Sequence, residues 1–370
     1  MRLSFVLATM AAAGCGSSPS TGGGNASPGD DASAPDGERS DGASSSDGAS
    51  DGSASDGTTA PPIVDVSSSG GHACAVSADG RLRCRGSNNQ GQLGDGTTTD
   101  NPTPIDVPGI TGAISVSAKA NHTCAVVAGG AVECWGDNYN GVLGSSTANQ
   151  SLVPLEVPNV TGARWVTTGS GHSCAILTDG AVRCWGSDHY GQLGPATLPA
   201  PAVQVGCGNG FTCAALADGT AWCWGAGSEG ELGDGKGAFS SGPVEVAGLT
   251  NVVGVASGQG QNCAVLADGT ARCWGSNAGG ALGDGNGEIQ SLAPVVVVGV
   301  SNAKQIDANE AVTMVLLADG SAAVWPQPQV VAVPGLTGAT KVSAGGCAIV
   351  GLGVECWMST PTPTPVPGLP

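Results

Sequence analysis

Twelve cysteines of this chain fall into six pairs at near-constant spacing: Cys74/Cys84, Cys124/Cys134, Cys174/Cys184, Cys213/Cys223, Cys263/Cys273 and Cys347/Cys356. Two chemistries could use this pattern. One is a disulfide across a β-hairpin. The other is zinc, because His72, His122 and His172 each stand two residues before a paired cysteine. Strand residues two apart share a face, so His72, Cys74 and Cys84 would offer three ligands together. The position two before the cysteine is Phe211 in one pair and Gln261 in another, and both keep their cysteines. Bridges therefore explain all six pairs, whereas zinc explains three and lacks a fourth ligand. The reading is six disulfides, with no metal and no cofactor. One further unit carries Met314 and Val324 where the two cysteines would stand, the paired loss that a disulfide predicts. Cys207 has no partner and is either a buried thiol or a surface one.

Other local patterns carry less. Asp284-Gly285-Asn286-Gly287-Glu288 places oxygens at alternate positions, but Ile289 stands where a calcium loop needs Gly, so a Gly-rich connection is the better reading. Gly225-Ala226-Gly227-Ser228-Glu229-Gly230 matches a dinucleotide fingerprint literally, yet the Gly-rich run after it cannot open a helix. His189 is a lone loop residue. No zinc-protease motif or phosphate loop occurs in the sequence. No residue is assigned as catalytic.

The elements that must hold the cysteines repeat along the chain. Hairpins start at Cys74, Cys124, Cys174, Cys213, Cys263, Met314 and Cys347, at successive spacings of 50, 50, 39, 50, 51 and 33 residues. Periods of this size mean propellers, solenoids or arrays. In each unit a short apolar run reaches a turn such as Ala78-Asp79-Gly80, where Gly accepts positive φ, and a second run follows, ending in Cys-Trp-Gly as in Cys134-Trp135-Gly136 and Cys273-Trp274-Gly275. A three-residue loop there sets Cys74 opposite Cys84. The last pair, at nine, fits a two-residue turn at Gly351-Leu352. A Gly-rich loop follows, as in Asn89-Gln90-Gly91-Gln92-Leu93-Gly94. A Pro-flanked run such as Pro104–Pro108 then suits a peripheral strand. Val300–Asp319 lacks Gly and Pro and could be helical alone, but it aligns without gaps to Leu249–Asp268 and is read as strand.

With Gly-x-x-His-x-x-Ala, Asp-Gly, Trp-Gly and Gly-Gln-Leu-Gly in this order, residues 63–370 resemble the regulator of chromosome condensation repeat family. The resemblance implies an all-β, seven-bladed β-propeller of four-stranded blades, here with disulfide-bridged hairpins. It also implies that the three histidines are structural donors within their blades. Thr360–Leu369 resembles Asn101–Ile110, so the C-terminal strand is expected to complete the first blade and remove an open edge.

The N-terminal part differs. Arg2 precedes an apolar run from Leu3 to Ala13, too short to span a bilayer, ending in Ala12-Ala13-Gly14-Cys15. This resembles a bacterial lipoprotein signal, with residues 1–14 removed and Cys15 lipidated. An ordinary signal peptide with Cys15 incidental is the alternative. Residues 15–62, rich in Ser, Gly, Ala and Asp, have too little to bury and form a disordered acidic linker. The expected location is the bacterial cell envelope, at the outer membrane or cell surface, which suits paired cysteines.

The net charge of -18 argues against nucleic acid and anionic membrane surfaces as partners, leaving the N-terminal lipid as the membrane contact. The function read from these features is a non-enzymatic binding module, a monomer, for a protein or cell-surface ligand. An extracytoplasmic hydrolase or lyase on polysaccharide or peptide is the alternative. Nucleotide exchange on a small GTPase is implied by the family name alone and conflicts with export. Hairpin cores nearly superimpose, whereas the loops after Trp-Gly vary, which suits a recognition face. Tyr139 and Tyr190 occupy equivalent loops and are the candidate binding residues.

Overall fold

The structure, a computed structural model, describes residues 60–369 except 146–147, 195–196, 311, 326–328 and 358–361. The signal, Cys15 and the linker up to residue 59 lie outside these residues. Seven antiparallel sheets follow one another along the chain, and no α-helix occurs among the described residues. The first blade shows the plan. Ile63–Ser68 is innermost, then His72–Ser77, then Leu82–Gly86, and Asn101–Asp106 lies outside. The second strand is buried on both faces along almost its whole length, while the outer strand is largely exposed. That gradient explains the sequence pattern: continuous small apolar residues inside, Pro and polar residues outside. The segment read as strand against its local propensity forms Ala303–Asn309 and Val312–Leu317.

The core lies between blades. Val76, Leu82 and Leu93 of the first blade pack on Val116, Ala125 and Trp135 of the second, and the same arrangement recurs around the ring.

Six disulfides cross the hairpins, each between residues directly opposite in register. Cys74 is bonded to Cys84, Cys124 to Cys134 and Cys174 to Cys184. Cys213 is bonded to Cys223, Cys263 to Cys273 and Cys347 to Cys356. Cys134, Cys223 and Cys273 sit on the third strands of their blades and are fully buried. With their sulfurs bonded to Cys124, Cys213 and Cys263, they offer no thiolate to a metal, which removes the zinc alternative at these hairpins. Met314 and Val324 face each other at the matching place. The three-residue turn is also as expected, with Ser77 N donating to Arg81 O at 3.0 Å. Gly80 there has φ +81°, and a Cβ on it would lie 2.5 Å from the Gly112 Cα, so two constraints demand glycine.

The expected closure of the ring is wrong. Thr364–Pro365 pairs with Gly353–Cys356 through Cys356 and Thr364, so it completes the seventh blade. The first blade has its own outer strand, with Ile105 opposite Cys84. Each Pro-flanked strand belongs to the hairpin before it, because the Gly-rich loop turns the chain back onto that hairpin's free edge. Every blade is thus a continuous piece of chain, and side chains close the seam. Ile63, Val66 and Ala75 pack on Ile349, Val354, Val366 and Leu369. Ile63 N donates to Leu352 O at 2.9 Å, Arg83 Nη1 donates to Gly368 O at 2.6 Å, and Lys341 pairs with Asp65.

The four-stranded expectation also fails once. The third blade has three strands, His172–Leu177 flanked by Ala163–Thr168 and Val182–Gly186. Its connection to the next blade, shortened to a spacing of 39, keeps the Gly-rich loop and forms no outer strand among the described residues, whereas the sixth blade, at a spacing of 33, keeps the short outer strand Val331–Ala332.

Candidate binding face

The Gly-rich loops leave the third strand of each of the first five blades at the end where the second strand begins, so they gather on one face of the ring. Local hydrogen bonds fix their shape. Asn88 Oδ1 accepts from Leu93 N at 2.9 Å, and its amide donates to Asp95 Oδ1 at 3.0 Å and Thr97 O at 3.1 Å. Asn138 and Asn277 do the same work for Leu143 and Leu282, at 3.0 Å each. The leucines plug into the core between blades. Backbone donors and acceptors are thereby met inside the loop, which leaves its outer side chains pre-ordered for contact.

The loops are also bolted to the neighbouring blade. Gln92 O accepts from Trp135 Nε1 and Thr123 Oγ1, both at 2.9 Å. Thr123 Oγ1 lies 3.0 Å from His72 Nε2. Since the threonine hydroxyl spends its one proton on Gln92 O, it accepts from the imidazole, which fixes His72 as the neutral Nε2–H tautomer. His122 meets Ser173 at 2.9 Å, and His172 meets Thr212 at 2.8 Å, each hydroxyl donating to the carbonyl of Val142 or Gln192. The histidines therefore join consecutive blades, and His72 also bonds within its own through Ser69 Oγ; the link to the next blade is what sequence spacing alone could not reveal. Burial pushes the imidazoles of His72 and His172 down to about 4, and burial with two imidazole neighbours takes His122 to about 3.

On this rigid base sit the exposed side chains. Tyr139 is 79% exposed and Tyr190 54%. Tyr190 leans toward the next blade, where a Cβ on Gly210 would come within 2.8 Å of its ring. Sequence reasoning missed Phe239 at 71% and Ile289 at 79% exposure. Both lie late in their loops, past the repeated motif, and the signal was a lone apolar residue in a polar Gly-rich run. One large apolar side chain thus projects from each loop of four consecutive blades, the second to the fifth. Around them stand Asp137, Asp188, Glu229, Asp234, Asp284 and Glu288, while Lys236 is held by Asp234 at 3.4 Å. The face is apolar at its anchors and acidic around them.

The Asp284–Glu288 segment is a blade connection, with Asp284 Oδ1 accepting from Asn286 N at 3.3 Å. Cys207 is a buried thiol, pushed up to about 12 by burial. The opposite mouth of the ring has a cavity of about 590 Å³ lined by Val64, Trp165, Val203 and Lys341. Val64, Ile114, Val203 and Val253, each second in its inner strand, are half-exposed there.

Models of the regulator of chromosome condensation (RCC1) repeat match residues 63–92, 113–142, 166–192 and 202–231 in one form and 79–126, 130–176 and 218–265 in another. The structure is similar to human WBSCR16, with a TM-score of 0.69 at 20% identity, covering 78% of this chain and 94% of that one. It is also similar to Prp20p from Saccharomyces cerevisiae, with a TM-score of 0.61 at 20% identity, covering 82% of this chain and 76% of that one. No curated protein matches the chain at the level of sequence.

Proposed function

Because the chain belongs to the regulator of chromosome condensation repeat family, we propose that it is an exported, non-enzymatic binding module whose loop face holds a protein ligand. The observation that carries this is the row of Tyr139, Tyr190, Phe239 and Ile289 on four consecutive, internally braced loops. Buried aromatic anchors dominate protein interfaces, and pre-ordered loops lower the entropy lost on binding. The acidic surround favours a partner with a basic rim around an apolar patch. Prp20p, described with its binding properties to Gsp1p and histones, supports a protein ligand for this kind of propeller.

Six disulfides suit an oxidising compartment, and the Cys15 signal with its acidic linker supports lipid tethering at the cell envelope. The propeller works as a monomer in this reading. The test is capture from surface lysates with the wild-type chain and a Tyr139→Ala/Phe239→Ala variant side by side. A protein held by the first and lost by the second supports the reading. Equal capture by both, or turnover of a polysaccharide or peptide unaffected by the substitutions, overturns it.

A further inference from the structure

The third blade differs from its neighbours behind the histidine. In the first blade His72 Nδ1 has a partner, Ser69 Oγ at 3.0 Å. In the third, the residue in that place is Gly169, and His172 Nδ1 is buried with no hydrogen-bond partner. The space left by Gly169 is taken from the fourth blade, since a Cβ there would lie 2.8 Å from Cys207 Cβ. A ring nitrogen of His172, Cys207 Sγ and Cys174 Sγ all lie within 4.8 Å of one another. Cys174 is tied to Cys184 and offers no thiolate, so Cys207 and His172 are the two free donors.

We propose that Cys207 and His172 form a two-coordinate site for a soft monovalent cation of the copper(I) class. A linear thiolate–metal–imidazole unit needs sulfur and nitrogen about 4.3 Å apart, from ordinary metal–sulfur and metal–nitrogen lengths. The limit of 4.8 Å on the observed separation is compatible with that span. A thiolate with one imidazole suits a soft ion, whereas zinc would demand four ligands. The Nε2–H of His172 is engaged by Thr212, which leaves Nδ1 with a free lone pair and fixes the orientation of the ring. Access exists, because Cys207 lines a cavity of about 130 Å³ together with Gly169, Ser170, Lys119 and Glu310.

Binding releases the thiol proton and nothing else, since His172 is neutral above about pH 5. Lys119 favours the thiolate, while burial opposes it more strongly. Glu310 is the acidic group on the cavity wall. Affinity therefore rises about tenfold per pH unit between pH 6 and 8.

The test is anaerobic copper(I) titration of the full oxidised chain against a chromophoric competitor. It is run beside Cys207→Ser, so that any contribution from other thiols cancels. Serine stands at the equivalent Ser68 and Ser257, and glutamine replaces the histidine at Gln261, so both Cys207→Ser and His172→Gln suit the fold. The expected result is one equivalent with a thiolate-to-copper absorption band, lost in Cys207→Ser and at least tenfold weaker in His172→Gln. Equal uptake by wild type and Cys207→Ser overturns the proposal, as does unchanged affinity in His172→Gln. Peptide mapping that finds Cys207 already bridged would also overturn it.

Discussion

His72 of the first blade reaches the second blade at Thr123, with Nε2 and Oγ1 3.0 Å apart, and Thr123 passes the bond on to Gln92 O in the first blade's own loop. One histidine thus ties a Gly-rich loop, its own blade and the next blade into one unit. His122 and His172 repeat the device, so the first four blades are linked in series.

This arrangement makes the fold acid-sensitive. The three imidazoles are held neutral by burial, with pKa values of about 4, 3 and 4, below their unfolded value of 6.5. The unfolded chain binds these protons first, so stability is full above pH 6.5 and is lost as pH falls toward 4. The slope should approach about 4 kcal/mol per pH unit once three sites contribute. Urea unfolding between pH 7 and 4.5 reads it. His122→Gln should flatten the slope by about a third; an unchanged slope would contradict the role given to that ring.

A seventh bridge should form where the sequence lost one. Met314 and Val324 are opposed in the same hairpin register as the bridged cysteines. Met314→Cys/Val324→Cys should oxidise quantitatively and raise stability by up to about 2.5–3 kcal/mol in the loop-entropy model. Free thiols in the exported double variant would show that the sixth hairpin departs from the others.

Gly94 should not tolerate a side chain. Its φ is +73°, and an added Cβ would meet Trp135 Nε1 at 2.7 Å, in the bond that fixes the loop to the next blade. Gly94→Ala should cost about 1–3 kcal/mol from backbone strain and displaced contact. A thermal shift within error of zero would contradict this packing.

The C-terminal strand offers a local test of closure. Removing residues 362–370 should strip protection from the amides of Gly353–Cys356 and loosen Arg83, which loses Gly368 O. Amides of Leu82–Gly86 should stay protected, because their outer neighbour is Asn101–Asp106. Loss of protection there instead would restore the closure first expected.

These outcomes show what the sequence could and could not carry. Cysteine spacing and the Asp-Gly turns sufficed for the hairpins and their register, because both are local. Blade phase was not local: a Pro-flanked run between two hairpins matches either neighbour in sequence, and only the pairing of Ile105 with Cys84 decides. The histidine contacts were hidden for a similar reason, since Thr123 lies 51 residues from His72. Tyr139 and Tyr190 stood out as aromatic residues in equivalent loops. Phe239 and Ile289 align only with each other, past the repeated motif, and their exposure emerges only when the loops fold over their buried leucines.

The central claim is that the loop face is the recognition surface. Hydrogen-exchange protection of the propeller with and without its captured partner tests it most directly. Protection should rise in residues 137–145 and 226–241, at the bases of Tyr139 and Phe239, and stay unchanged at Ile63–Ser68 and Ala202–Cys207. Protection confined to Val64 and Val203 at the opposite mouth, with the loops unaffected, would contradict the account.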